Sequence, residues 1–465
     1  MKTRKEHDSL GSIEVATEAL WGAQTQRSID NFAIGSECFP EDFIKVFALV
    51  KKAAARVNHD LGLLPALQTD LICQVCDEIS AGQHADAFPL KVWQTGSGTQ
   101  TNMNLNEVVA NRANEIAGHG RGSKYPVHPN DHVNCSQSSN DIFPTVMHVS
   151  VVKRYQQNLL PALKRLTLAL ATKENAFADC IKVGRTHLMD AAPVTLGQEF
   201  GAYVAQLQYA TEQLERSVSS LGFLALGGSA VGTGLNTHPE WAERVAQEIS
   251  GLMGQSFEPA KNTFMALACH DEIVNFHGCL RGLAVALYKI GNDLRWLASG
   301  PRCGLNELQL PANEPGSSIM PGKVNPTQIE ALTMVVAQVI GNDACVSFAG
   351  SQGQLELNVF KPVIIFNTLQ SICLLAQAME SFRSNCVQGM RVNEAQIQFN
   401  IQRSLMLITA LNPVIGYDKA AEAAKRAWEK GISLKEATLE LGYLDEGEFD
   451  GRVDPKKMLA PNIPV

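Results

Sequence analysis

The sequence predicts a mainly α protein organised around a bundle of long helices, and three observations carry that expectation. Apolar residues recur at alternating spacings of three and four through five segments. Polar stretches rich in glycine, proline and asparagine interrupt them. Several segments, such as "GLAVALYKIG" and "ALTMVVAQVIG", are apolar or small on more than one face. A single bundle cannot cover such helices, so subunits are expected to share a larger helical core.

Residues 1–138 read as a mixed, mostly helical domain, with helices near 41–60 and 66–82 and Gly/Asn-rich loops between 95 and 140. "SSND" (138–141) reads as a helix N-cap with Pro144 in the first turn. A central bundle domain follows, residues 139–393. Val152, Tyr155, Leu159, Leu163, Leu166 and Leu170 make one stripe. Phe200, Tyr203, Leu207, Leu214, Val218 and Leu221 make another. The clearest stripe runs Ile273, Phe276, Leu280, Leu283, Leu287, Ile290, Leu294, Leu297 and ends at Gly300-Pro301. It predicts a helix from about 262 to 298, roughly 50 Å long at 1.5 Å per residue. Ile329, Leu332, Val336 and Val339 mark a shorter helix, and Ile365, Leu369, Ile372, Ala376 and Met379 a fifth. Residues 394–465 read as a small helical domain, in which Ser433 and Glu436 form a capping box while "LDEGEF" and "VDPKKM" are turns.

Composition narrows the function. The chain has 465 residues, 45% apolar and 18% charged, with a net charge of −8, which argues against a general nucleic-acid or acidic-membrane binder. No uninterrupted apolar run approaches the roughly 20 residues that span a bilayer. The start, "MKTRKEHDSLGSIEV", lacks the apolar core of a secretory signal, so the cytoplasm is expected. Eleven scattered cysteines show no disulfide rhythm. Cys73 and Cys76 form one CxxC without a second pair, and read as half-buried helix residues.

Chemistry concentrates in four stretches: "QTGSGTQTNMN" (94–104), "HPNDHVNCSQSSND" (128–141), "GRTHLMDAAP" (184–193) and "EPGSSIMPGKVNP" (314–326). The last resembles a phosphate loop only superficially. Five residues rather than four separate Gly316 from Gly322, and Val324 stands where a magnesium-binding hydroxyl belongs. "GSGT" lacks the third glycine of a dinucleotide fingerprint. His128 and His132 are four apart, like metal ligands on a helix, but Pro129 and the turn chemistry of "PND" oppose a regular helix. Thr327 to Glu330 fits a capping box, which gives Glu330 a structural reading. Together the stretches supply hydroxyls and amides (Ser97, Thr99, Asn102, Ser138, Ser139, Asn140, Thr186, Ser317, Ser318, Asn325), few cations, Lys323 foremost, and the acid–base group His187. That inventory suits a small oxygen-rich anion such as a dicarboxylate. It lacks a glycosidase carboxylate dyad and a GxSxG elbow.

"GSSIMPGKVNP" resembles the mobile signature loop of the fumarase/aspartase superfamily. The likeness extends over essentially the whole chain through "LWGAQTQRSIDNF", "WQTGSGTQTNMNLNEV", "VHPNDHVN", "QSSND", "GRTHL", "TLGQEF", "GTGLNTHPE", "SGPRCGLNE" and "LNVFKPV". Within the superfamily it is nearest to class II fumarate hydratases. The resemblance implies a three-domain subunit, a homotetramer with a 20-helix core, and active sites drawn from three subunits. It implies reversible hydration of fumarate to (S)-malate, a tricarboxylic acid cycle reaction, by anti addition through a carbanion-like aci-carboxylate, with no metal or organic cofactor.

The same resemblance assigns roles. Ser317 is the base for the carbon-bound proton, His187 handles the water or hydroxide, and Glu330 orients His187. Lys323, Asn325 and backbone N–H groups at Val324 and its neighbours meet the developing dianion. Ser97, Thr99 and Asn140 hold water and hydroxyl, Ser139, Thr186 and Ser318 grip carboxylates, and Gly98 and Ser138 belong to the substrate-binding set. His128, Pro129, Asn130 and Asp131 match a second, non-catalytic anion site. Met189 departs from the glutamine usual in fumarases. Aspartate ammonia-lyases typically read "RTQ" at Thr186-His187 and "NPND" at His128–Asp131, which favours the hydratase over that rival. A non-catalytic bundle is disfavoured by the intact Ser317, Lys323, Asn325 and His187.

Overall fold

Seventeen α-helices and four two-stranded sheets make up the described residues, 2–461, of the computed structural model. The nine longest helices are α1 (Glu41–Asp60), α2 (Ala66–Ser80), α3 (Thr99–Ile116), α4 (Ser139–Arg154), α5 (Leu160–Ala176), α6 (Leu196–Ser220), α7 (Asp271–Leu297), α8 (Thr327–Gly350) and α9 (Lys361–Phe382). The apolar stripes end up inside. Ile273, Phe276, Leu280, Leu283, Leu287, Ile290 and Leu294 of α7 are all fully buried. So are Ile329 and Val339 of α8 and Ile365 and Ile372 of α9.

Local chemistry explains where the observed helices depart from the expected ones. The helix expected over 262–298 is interrupted: Thr263–Ala268 is a short helix, Cys269 is extended, and α7 starts at Asp271. The Leu267 carbonyl accepts from Lys361 Nζ at 2.8 Å and from the Asn358 amide at 3.3 Å, which draws it out of a continuous helical ladder. The 152–170 stripe is split by a wide turn at Tyr155–Leu159. Pro161 follows it, and a proline clashes with the carbonyl four residues earlier. Pro144 lies in the second turn of α4, not the first. The segment 446–452 forms a helix capped by Asp445 and Glu448, and 455–458 one short 3-10 turn, where plain turns were expected. The capping box expected at Thr327 is not formed: its hydroxyl donates to the Glu314 carboxylate at 2.7 Å, and the Glu330 amide donates to the Pro326 carbonyl instead. Cys73 is half-buried and Cys76 buried on α2, and all eleven cysteines are free.

Contacts gather the chain into two compact units. The first comprises 1–161, 212–284 and 337–376. Its core includes an aromatic cluster in which Phe43 lies 4.7 Å from Phe39 and 5.5 Å from Phe143, ring centre to ring centre. The second comprises 162–211, 285–336 and 377–465. Its last helices enclose a small core of their own around Leu411, Ala423, Ala427, Ala437 and Phe449.

Two helices, Thr327–Gly350 and Lys361–Val387, are long and apolar enough to cross a membrane, with mean hydropathy 1.4 and 1.5. Polar residues within them are bonded to one another: Asn342 Nδ2 donates to Gln370 at 2.9 Å and to Ser371 at 3.0 Å. That seam is a helix–helix contact inside the first unit. Met334, Phe348, Val285 and Trp296 leave apolar surface uncovered in the single chain.

Candidate active site

Two helix N-termini meet in the first unit. Gly98 precedes α3 at φ +78°, and an added Cβ there would come within 2.3 Å of the Phe143 ring. Glycine is therefore required for the loop to lie flat on the aromatic cluster. Gly96 lies still closer to its support, on the Val359 carbonyl, and accepts from the Lys361 amide at 3.0 Å. These contacts hold Ser97 and Thr99 with their hydroxyls 2.8 Å apart. Ser138 caps α4 in a capping box with Asp141, and Asn102 of α3 donates to Ser139 of α4 at 2.9 Å. Asn140 Nδ2 donates to the Ala230 carbonyl at 2.8 Å. The structure thus brings Ser97, Gly98, Thr99, Ser138, Ser139 and Asn140 onto adjoining helix starts, whose free N–H groups and dipoles favour an anion.

Asp141 supports this arrangement from below. It is buried, and its second oxygen accepts from the amides of Gly227 at 3.1 Å and Ser229 at 2.8 Å. Burial pushes its carboxyl up to about 7 against the pull of those donors. Lys51 lies nearby, its ammonium bonded to Asn134 and Gln137 and lowered to about 7 by burial.

His128 caps the turn Pro129–Val133, its Nδ1 accepting from the amides of Asn130 and Asp131 at 3.2 Å each. A nitrogen so engaged is an acceptor, and burial lowers the imidazole's proton affinity further. His128, Pro129 and Asn130 line a cavity of about 280 Å³ together with Glu6, Glu107 and Lys124. No three His, Cys, Asp or Glu side chains among the described residues converge as a metal site.

In the second unit the loop before α8 folds on itself. Gly316 donates to the Lys323 carbonyl at 2.7 Å, and Asn325 Nδ2 to the Gly316 carbonyl at 2.6 Å. An added Cβ at Gly316 would sit 2.5 Å from that Lys323 oxygen, and Gly322 has φ +79°. The Ser317 hydroxyl accepts from the amides of Ile319 at 3.3 Å and Met320 at 3.0 Å. Ser318, Lys323, Val324 and Glu330 are exposed, and Ser317 and Asn325 are half-buried.

Thr186 and His187 occupy a hairpin where the sequence suggests only a polar loop. Strands Ile181–Thr186 and Met189–Thr195 pair antiparallel, with Thr186 opposite Met189. His187 and Leu188 form the two-residue turn at φ +57° and +60°. Two left-handed central residues make a type I′ turn, which normally selects Asn and Gly. Within one chain no hydrogen bond or ion pair among the described residues joins His187 to Ser317, Lys323 or Glu330.

Comparison with known proteins matches this geometry to a family. Residues 11–341 fit the model described as Lyase, and residues 407–460 that described as Fumarase C C-terminus. A fumarate hydratase class II of Thermosynechococcus vestitus is 59% identical over 458 residues, covering 98% of both chains. The chain belongs to the class II fumarate hydratases. The class II fumarate hydratase of Nitrosomonas europaea is 57% identical, again covering 98% of both. Among solved structures, class II fumarase from Schistosoma mansoni superposes with a TM-score of 0.96 at 44% identity, covering 98% of this chain and 99% of that one.

Apart from Asn102, sequence reasoning missed the buried asparagines that brace the candidate site of this class II fumarate hydratase. Asn102, Asn104, Asn106, Asn111 and Asn114 of α3 are all buried. Asn111 and Asn114 bond the backbone at Leu20, Gly122 and Val127. Asparagine is a poor helix former, so five in one helix was a legible signal of buried polar architecture.

Proposed function

We infer that this chain catalyses the reversible hydration of fumarate to (S)-malate and is a hydro-lyase. Family membership carries the reaction. The observation that best supports the assigned chemistry is the Ser317 hydroxyl, which receives two backbone N–H groups in the loop that also bears Lys323 and Asn325. An oxyanion at Ser317 needs such donors, because a serine hydroxyl is otherwise too weak an acid to serve as a base.

In the malate-to-fumarate direction the Ser317 oxyanion removes the proton from the carbon beside a carboxylate. The electron pair moves into that carboxylate and makes it an aci-dianion. Lys323, Asn325 and loop amides stabilise the added charge. The C–O bond on the neighbouring carbon then breaks on the opposite face, and His187 delivers the proton that lets hydroxide leave as water. Ser97, Thr99 and Asn140 hold that water, Ser139, Thr186 and Ser318 hold carboxylates, and Gly98 and Ser138 belong to the same binding set. Glu330 orients His187. The segment His128–Asp131 is a second anion site. No metal takes part.

His187 and Glu330 are exposed and unpaired with one another in the single chain. Completion by neighbouring subunits therefore fits, as do the uncovered apolar positions Val285, Trp296, Met334 and Phe348 on α7 and α8. We propose a homotetramer in the cytoplasm, with each site shared among three subunits. Purified protein incubated with malate, and separately with aspartate, tests the reading by the ultraviolet absorbance of the conjugated diacid. Malate alone should give a signal, with or without chelator. An aspartate-only signal, or silence with both, overturns it.

A further inference from the structure

The His187 turn is strained, and within one chain its tip is exposed. His187 and Leu188 both sit in the left-handed region without being glycine or asparagine. Each such residue costs about 1 kcal/mol or more and persists only where its surroundings over-determine it. Thr186, His187, Leu188, Met189 and Asp190 are all exposed. Within one chain, the restraint lies at the base of the hairpin.

The base is rigid for identifiable reasons. The strand register shifts between Val183 and Arg185, and at the intervening Gly184 an added Cβ would meet the Ala192 carbonyl at 2.4 Å. Such a bulge increases twist and re-aims the residues beyond it. Lys182 and Arg185 lie on either side of the bulge, and both reach Glu307, whose side chain is 0% exposed. Arg185 Nη2 donates to Glu307 Oε1 at 2.8 Å, and Lys182 Nζ lies 3.2 Å from Oε2. Lys182 Nζ also donates to Glu199 at 2.7 Å, and Asn400 Nδ2 to Glu307 Oε1 at 3.1 Å. The Glu307 backbone is fixed as well: its amide donates to the Leu297 carbonyl at 2.8 Å and its carbonyl accepts from Asn393 at 3.0 Å. Two cations serve three carboxylates in this cluster, since Arg185 Nε also lies 4.0 Å from Asp190 Oδ1 across the hairpin. Glu307 Oε1 carries both hydrogen bonds, while Oε2 and Arg185 Nη1 are buried without one, so the ion pair is held by Oε1 and its loss would leave a buried uncompensated charge.

We infer that Glu307, acting through Arg185, is a positioning residue that sets the direction of the His187 turn. This rests on the reading that His187 handles the water or hydroxide. Both act in this proposal through the turn, not by contact with substrate. Arg185 is the place to test it, since its side chain is 13% exposed and its loss disturbs the core less than loss of Glu307.

The test is a double-mutant cycle on the assembled enzyme: Arg185→Met, Arg185→Lys, His187→Asn and Arg185→Met/His187→Asn, with kcat, KM and oligomeric state measured for each. A misplacement of about 1 Å lowers turnover on the order of 100-fold. Arg185→Met should therefore lower kcat about 10- to 100-fold with KM within about threefold, and Arg185→Lys should recover part of the loss. In the His187→Asn background, Arg185→Met should change kcat by less than about twofold, because the group it aims is already gone. A residue that merely stabilises the fold would lower both backgrounds by the same factor, and that result overturns the inference. So does Arg185→Met turnover equal to wild type while His187→Asn is impaired. If His187→Asn itself turns over at the wild-type rate, the role assigned to His187 falls first and takes this inference with it. Should Arg185→Met fail to assemble, Arg185→Lys and its double variant decide the question on the same criterion.

Discussion

His277 and Ser371 are 2.9 Å apart, and His277 Nδ1 lies 3.0 Å from Asp343 Oδ1. On distances alone this is a serine–histidine–aspartate triad. His187 and Ser317, by contrast, share no bond within the chain. On the proposed function, the triad belongs to the architecture and the separated pair to the chemistry. His277 and Ser371 are fully buried on α7 and α9, and Asn342 supplies a further donor to Ser371 at 3.0 Å. Every polar atom in the triad is occupied by a neighbour, Asp343 Oδ2 by Arg281 at 2.7 Å. His187 stands exposed on a strained turn, and Ser317 sits in a loop whose glycines bring backbone donors onto its hydroxyl. Access and stored strain, not the identity of the neighbours, separate a reactive constellation from a satisfied one.

The two serines give the largest contrast. Ser317→Ala should reduce malate turnover by about 10³-fold or more, since it removes the proposed proton acceptor, and should leave assembly unchanged. Ser371→Ala should leave turnover within about twofold and lower stability by about 1–3 kcal/mol, the effect of losing its buried hydrogen bonds to His277 and Asn342. Steady-state kinetics beside denaturant unfolding reads both. If Ser371→Ala abolished turnover and Ser317→Ala did not, the assignment would reverse.

The buried histidine gives a contrast that acid can reveal. Burial lowers the His277 imidazole below its ordinary value, more than the Asp343 carboxylate raises it. Below about pH 6.5 the unfolded chain takes up a proton that folded His277 still refuses. Stability from this group is present above that pH and is lost as pH falls toward the depressed folded value. His277→Asn should remove that part of the acid slope, at a lower stability throughout. Unfolding measured between pH 5 and 8, taken as roughly the span in which histidines titrate, checks it. Equal slopes in both proteins would show that His277 does not titrate in that window.

How far the sequence foretold this contrast can be read from particular residues. The α7 stripe from Ile273 to Leu294 was legible because burial of one helix face imposes a three-and-four spacing. The signature loop at 314–326 and "GRTHL" were legible as concentrations of small and polar residues where a helix cannot continue. The hairpin that carries His187 was not, because its turn uses His-Leu where local chemistry calls for Asn-Gly. The break at Cys269 was equally hidden, since it depends on Lys361 and Asn358 reaching the Leu267 carbonyl from about 90 residues away. The polar seam through His277 had no local signature at all. Its residues interrupt three apolar helices, and only packing reveals that they satisfy one another.

The smallest expected effect lies in the strain itself. Leu188 is exposed and has φ +60°, so its side chain contributes steric cost without visible packing in the single chain. Leu188→Gly removes the clash that opposes the left-handed conformation. It also frees the unfolded chain, so the net gain should be only about 0.5–1 kcal/mol. Glycine would equally let the turn leave its present geometry, and His187 would then spend less time where the hairpin now aims it. A modest rise in stability with a fall in kcat of a few-fold is the expected pair of results, from unfolding curves and steady-state rates on the same preparation. Gain in both would mean that the strain at this turn is not used to hold His187. Loss of stability would mean that Leu188 is packed in the assembled enzyme, by a neighbouring subunit.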